Sequence, residues 1–279
     1  MKVYISADIE GIGCVVRSEH SSVQGREYNF ARRQMTAEVN AAVKGAFAAG
    51  AAEVVVADAH NVGLNILPEE LDERVQLIMG SPRPFSMMQG VDLGFDAVMF
   101  VGYHGMSKTL DSNIVHIFSG RAARLTINGV DVGEIGLNAL LAGYYHTPVV
   151  MISGDEQACR EAQALMPWVG AAVVKKAIGS YAGLCLHPKK CVDLIAAAAE
   201  ESLRHRDRCR PLVLPGAGTV AGAAMELECT TASTADRVAR LPRSVRVSGT
   251  VVRYQAQDVR EAYQAFCAMA DLMELTHFI

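Results

Sequence analysis

The chain of 279 residues has no basic surplus: Lys and Arg number 26 against 30 Asp and Glu, a formal net charge of −4. Nucleic acids and anionic membranes reward clustered positive charge, so neither is expected as a partner. Long apolar stretches are also missing. Runs such as 96–101 and 148–152 fall far short of the roughly 20 residues that a membrane-spanning helix needs. Met1-Lys-Val-Tyr-Ile-Ser-Ala-Asp8 reaches a carboxylate before the core of a signal peptide could form, so a leader is not expected. The seven cysteines are odd in number and form no Cys-x-x-Cys pair. In a chain of this size that favours a reduced, cytoplasmic compartment over a disulfide framework.

Several catalytic signatures are absent as well. Gly11-Ile-Gly13 follows the first β-rich run, but position 16 is Val, so the dinucleotide fingerprint lacks its third glycine. There is no phosphate loop, no His-Glu-x-x-His and no Gly-x-Ser-x-Gly elbow. Cys185, His187 and Cys191 lie close together without zinc-site spacing, and read as structural thiols and a surface histidine. The alternating basic run 204–210 reads as a solvated helix end.

What remains is the composition of a globular protein, 51% hydrophobic and 20% charged. Short β-branched runs alternate with Ala-rich helical patterns, which predicts an α/β fold with a parallel-rich sheet and helices on both faces. Strands are expected at 3–5, 54–56, 75–79, 97–101, 149–152 and 172–174. A helix over 27–49 carries Ala41, Ala42, Gly45, Ala46 and Ala49 as a closely packing face. Asn128-Gly129 marks a hairpin turn within 125–132, followed by helices over 134–145, 155–165 and 188–204. Pro211, Pro215, Gly216 and Gly218 suggest a boundary near residue 210, between an α/β metal-binding catalytic domain (1–210) and a smaller α+β domain (211–279). In the latter, strands are expected at 224–230 and 245–254 and helices at 233–240 and 257–274.

Three strand exits carry the chemistry. Ser6-Ala-Asp8-Ile-Glu10 ends the first, Asp58-Ala-His60 the second and Gly102-Tyr-His104 another. Residues two apart in an extended chain point to one side, and ligands of open α/β sheets bind outside the carboxyl ends of the strands. Asp8, Glu10, Asp58, His60 and His104 would then share one rim. Carboxylates and imidazoles crowded together repel or sit unsatisfied without a cation, so a divalent metal is expected, zinc first. Glu134, which opens a helix, reads equally well as a ligand or as a carboxylate favoured by the helix dipole. His116 would serve as acid/base if its loop folds over the rim.

Ser6-x-Asp8-x-Glu10-Gly11, Asp58-x-His60, Gly102-Tyr-His104, His116 and Gly133-Glu134-x-Gly-Leu-Asn138 together resemble the zinc-dependent D-aminopeptidase family. Arg83-Pro84-Phe85-Ser86-Met87, Ala142-Gly143-Tyr144-Tyr145, 254–258 and 261–264 extend the likeness over essentially the whole chain. The resemblance implies a cytoplasmic metallopeptidase with two zinc ions per subunit that removes N-terminal residues from short peptides of D-amino acids. It implies Asp8, Glu10, His60, His104 and Glu134 as metal ligands, with Asp8 as the bridge. His116 would be the catalytic histidine, as nucleophile or as base, with Asp58 steadying a ligand from behind. A ring-like homo-oligomer, a decamer, is implied too. The loop 105–113 is this sequence's own. Two other readings fit the same residues: a dinuclear hydrolase of another amide or ester, and a non-catalytic peptide-binding accessory protein.

Overall fold

A computed structural model describes residues 1–214 and 222–275. Pro215, Gly216 and Gly218 of the expected boundary, and His277, lie outside the described residues. The strands are β1 (Lys2–Ala7), β2 (Glu53–Asp58), β3 (Gln76–Ile78), β4 (Ala97–Tyr103), β5 (Ala122–Ile127), β6 (Val130–Asp131), β7 (Val149–Asp155), β8 (Gly170–Gly179), β9 (Ala182–Cys185), β10 (Ala223–Cys229), β11 (Ser244–Arg246) and β12 (Val251–Ala256). The helices are α1 (Ser18–Ser21), α2 (Tyr28–Ala48), α3 (Glu134–Tyr144), α4 (Glu156–Leu165), α5 (Pro188–Arg204), α6 (Ala232–Val238) and α7 (Val259–Glu274).

Seven strands form one sheet in the order β3-β2-β1-β4-β7-β8-β9, parallel except for the β8–β9 hairpin. Its central strands are apolar on both faces, and the strand period of two divides them between two cores. Val3, Ile5 and Ala7, with Val54 and Val56, face the core beneath α2 and α5. Tyr4, Val55, Val98 and Phe100 face the opposite core, which α3, α4 and α7 help to build. The small-residue face expected on α2 lets α5 come close: a Cβ on Gly45 would lie 2.5 Å from the Ala196 carbonyl.

A second, antiparallel sheet has the order β11-β12-β10-β5-β6. The Asn128-Gly129 turn expected from sequence joins β5 to β6, with φ of 52° and 79° at its two central residues. The antiparallel α+β layer expected near the C-terminus is present, and the β5–β6 hairpin from the middle of the chain joins its sheet. Two expectations need correction. The single strand over 245–254 is two, β11 and β12, because Ser248 and Gly249 close a turn in which Val247 donates to the Val251 carbonyl at 3.0 Å. β9 was not expected; with Gly183 among its four residues, it carries little β signal. Among the described residues, no helix is long and apolar enough to cross a membrane.

A buried polar chain ties the layers together. Tyr263 on α7 donates to Asn138 Oδ1 on α3 at 2.8 Å, Asn138 Nδ2 donates to the Tyr103 hydroxyl at 2.9 Å, and that hydroxyl meets Ser6 Oγ at 2.7 Å. Removing one partner from such a chain leaves another buried and unpaired. Tyr263→Phe should therefore cost about 1–3 kcal/mol, read as a lowered urea midpoint with unchanged slope.

Glu38, fully buried on α2, accepts from the Gly13 amide at 2.9 Å. Burial pushes its carboxyl up to about 8, against the opposing pull of that hydrogen bond and of Lys175. A folded-state pKa above the unfolded one penalises the folded state progressively as pH rises from the ordinary carboxyl range through about 8. Glu38→Gln keeps the acceptor and should flatten this decline. Urea unfolding at about pH 5 and about pH 8 measures the difference between the two chains.

Candidate metal centre

Because β2, β1 and β4 are parallel neighbours, their C-terminal ends open on one edge of the sheet. Backbone bonds continue past the strands and hold the exits together. Asp8 donates to the Val101 carbonyl at 2.8 Å, Gly11 to Gly102 at 2.7 Å and Ala59 to Ala7 at 2.7 Å. Asp8 and Glu10 do converge, but through a turn at 9–11 rather than through strand alternation. Glu134 arrives from elsewhere, on the first turn of α3, and His116 from the loop that follows His104.

Asp8 occupies the middle. Its Oδ1 lies 3.3 Å from His60 Nδ1 and its Oδ2 lies 3.5 Å from His104 Nε2. Glu10 Oε2 stands 3.0 Å from the same nitrogen of His60, and Glu134 Oε2 stands 3.3 Å from the same nitrogen of His104. His116 stacks on His104 with ring centroids 4.3 Å apart, and its Nε2 lies 3.6 Å from Glu134 Oε1. Two overlapping sets offer atoms within 4.8 Å of one another, namely Asp8, Glu10 and His104, and His104, His116 and Glu134.

Each imidazole is oriented by its other nitrogen. His60 Nε2 meets the Ser21 carbonyl at 2.9 Å, His104 Nδ1 meets that of Gly105 at 3.0 Å, and His116 Nδ1 meets that of Ile114 at 2.8 Å. A proton on each of those nitrogens satisfies the carbonyl and leaves the second lone pair facing the centre, the arrangement that second-layer acceptors impose on ligand histidines. Phe118 N–H donates to Glu134 Oε1 at 2.6 Å and fixes that carboxylate in turn.

The donor set fits a divalent cation. Asp8 Oδ2, Glu10 Oε2 and His104 Nε2 are buried without a hydrogen-bond partner. All three are acceptors aimed at common space, and buried acceptors with no donor are costly. The electrostatics agree. Burial, then Glu10, push Asp8 up to about 6. Burial also raises Glu10, but His60 and the other imidazoles outweigh it and hold the carboxyl well below its usual range. Burial lowers His104, yet Glu134, Asp8 and Glu10 hold it at about 10, and Glu10 and Asp8 raise His60 in the same way. Carboxylates that favour protons on neighbouring imidazoles offer the same acceptors to a metal, whose binding would release those protons. Carboxylate oxygen with imidazole nitrogen suits zinc among the common ions.

The centre opens into a cavity of about 620 Å³, lined among others by Ser21, Ser86, Met87, Phe118 and Asp271. His116, with its side chain 21% exposed, is more open than Glu134 or His104 at 3% and 1%. Asp58 stands apart from this cluster. Its carboxylate accepts from Asn65 N at 2.6 Å, Asn65 Nδ2 at 2.7 Å and Ile66 N at 2.8 Å, and Asn65 Nδ2 in turn holds the His60 carbonyl at 2.6 Å. Asp58 thus steadies the His60 loop through its backbone. The sequence reading missed Lys175, buried in β8, whose ammonium donates to the carbonyls of Glu10 and Val15. Its one signal was a lysine interrupting a β-branched run.

A family model described as D-aminopeptidase matches residues 1–268. The D-aminopeptidase of Bacillus subtilis (strain 168) is 35% identical over 279 residues, covering all of both chains. The solved structure of the Zn-dependent D-aminopeptidase DppA from Bacillus subtilis, described as a self-compartmentalizing protease, superposes with a TM-score of 0.95 over all of both chains at 35% identity. With its strand exits, orphaned acceptors and full-length similarity in agreement, this chain belongs to the D-aminopeptidase family.

Proposed function

We propose that this chain is a zinc-dependent aminopeptidase that hydrolyses the N-terminal D-residue from short peptides, with two zinc ions per subunit. The observation that carries the reading is Asp8, which turns one carboxylate oxygen toward each of two imidazoles. Asp8, Glu10 and His60 would hold one ion, and Asp8, His104 and Glu134 the other. Zinc supplies Lewis acidity, which polarises the scissile carbonyl and acidifies water. The remaining chemistry falls to the chain. His116 takes or delivers the proton at Nε2, since its Nδ1 is committed to the Ile114 carbonyl and the residue borders the cavity. Phe118 N–H and the Ser21 and Gly105 carbonyls hold the ligands in place, so that little reorganises during turnover.

Membership in the family supports the D-aminopeptidase reading over hydrolysis of another amide or ester, and the pairing of the acidic cluster with His116 supports an enzyme over a binding protein. Self-association is supported by the relative's description as self-compartmentalizing, and a ring of ten subunits is the form proposed. Ile178, Tyr181 and Leu184, exposed on the β8–β9 hairpin at 73%, 59% and 67%, support it too. Light scattering would read the mass. All seven cysteines are free thiols, which fits a cytoplasmic setting.

His104→Ala and Glu134→Ala should lose bound zinc and activity together while far-UV circular dichroism is unchanged; elemental analysis reads the metal. His116→Ala should retain zinc and lose about 100-fold or more in kcat. D-alanyl and L-alanyl dipeptides, assayed beside acetylated amines before and after chelation, test the substrate class. Cleavage of the L-peptide alone, or of the acetylated amine alone, would overturn it. Tight peptide binding with no hydrolysis and less than one zinc per chain would favour the accessory protein.

A further inference from the structure

Residues 105–115 join His104 to His116 and contribute neither a ligand nor an acid/base, yet they bury polar groups completely. Ser112 and Asn113 are 2% and 0% exposed. Asp155, which caps α4, accepts from Ser112 Oγ at 2.6 Å, Asn113 N at 3.2 Å and Ala158 N at 2.9 Å. Ser112 Oγ accepts from Gly105 N at 3.1 Å, and Glu161 on α4 accepts from Met106 N at 2.9 Å. α4 therefore grips both ends of the loop.

The Asn113 carboxamide reaches the other way. Its Nδ2 donates to the Gly179 carbonyl at 2.8 Å and to the Ala182 carbonyl at 3.0 Å, which flank the β8–β9 turn, while Ile114 N donates to the Ser180 carbonyl at 3.1 Å. Ile114 has φ of 53°. A β-branched residue takes that left-handed conformation only where its surroundings impose it. Asn113 Oδ1 is buried with no donor. Strain and an unpaired acceptor at one place mark a geometry held at the expense of stability. The Ile114 carbonyl that results lies 2.8 Å from His116 Nδ1.

We infer that Asn113 is a positioning residue for His116: its carboxamide fastens the Ile114 turn to the β8–β9 hairpin, so that the Ile114 carbonyl keeps the imidazole proton on Nδ1 and the Nε2 lone pair toward the cavity. This rests on the acid/base role proposed for His116. Nothing in it requires Asn113 to touch substrate or metal.

Asn113→Asp replaces two N–H donors with an oxygen facing two carbonyls, and Asn113→Ala removes them. In the zinc-loaded protein, each should lose about 100-fold in kcat, the scale of a misplaced catalytic group, while KM and zinc content stay within about twofold of wild type. In spectra of [15N]histidine-labelled wild-type protein at mildly alkaline pH, His116 should be the Nδ1–H tautomer, with the Asn113 variants giving a mixture. Undiminished kcat in the Asn113 variants, or a loss in proportion to lost zinc, overturns the inference. A wild-type Nε2–H tautomer overturns it even if neither variant folds. His116→Ala separates the two readings. If it retains turnover, the acid/base assignment fails and the inference with it; if it loses turnover while Asn113→Asp keeps it, only the inference fails.

Discussion

Asp8 is 2% exposed and faces an imidazole with each oxygen, beside two further carboxylates that are buried almost as deeply. Three acids and two imidazoles cannot share a dry pocket without a cation, because each unpaired charge there costs several kcal/mol. In the metal-free chain, protons on His60 and His104 fill that need, which is why both imidazoles are raised despite their burial. A divalent cation would fill it better, since it sets a double charge among the same acceptors where a proton sets a single one. The sheet is built around this constraint. β1, β2 and β4 run parallel so that their ends deliver Asp8, Glu10, His60 and His104 to one edge, and the buried ammonium of Lys175 holds the backbone of the Glu10 turn from beneath.

Much of this arrangement was legible from residues alone, for a physical reason. Strands apolar on both faces announce a covered parallel sheet, and a parallel sheet puts every strand exit on a common edge. Asp8, His60 and His104 could therefore be placed together across nearly a hundred positions without any knowledge of contacts. The distances that the structure gives between them agree. Glu134 was harder. A carboxylate on the first turn of a helix is favoured by the dipole whether or not it binds an ion, and only the fold brings it to the β4 exit, 3.3 Å from His104.

What stayed hidden shares another cause. Lys175, Asp155, Glu161 and Asn113 act through backbone carbonyls and amides that are distant in sequence, and backbone groups carry no residue-type signal. Asp155 looked only like a helix start, which it also is, capping α4 through the Ala158 amide. Asp58 was read as a support rather than a ligand, and it does steady the His60 loop, through Asn65. It has the spacing of a ligand beside His60, but an aspartate at a strand end is equally apt at accepting from nearby amides, and Asn65 and Ile66 take both of its oxygens. β9 escaped notice because a four-residue strand completed by a hairpin draws its stability from its neighbour rather than from its own composition.

The two kinds of functional group are supported differently, and their chemistry explains why. A metal ligand must stay still, and the candidates Asp8, Glu10, His60 and His104 sit within three residues of strand ends in the middle of the sheet, with Glu134 on a buried helix turn. A group that trades protons with a substrate needs more exposure than a ligand, and the proposed carrier His116 has its side chain 21% exposed against 11% for His60 and 1% for His104. His116 is accordingly carried on an irregular loop and borders the cavity. Irregular backbone has no ladder to fix it, so precision there has to come from side chains that reach for backbone. Asp155, Ser112 and Asn113 supply it from α4 on one side and the β8–β9 hairpin on the other. The left-handed Ile114 between them costs stability, and the loop can bear that cost because the parallel sheet beneath it is apolar on both faces and closely covered.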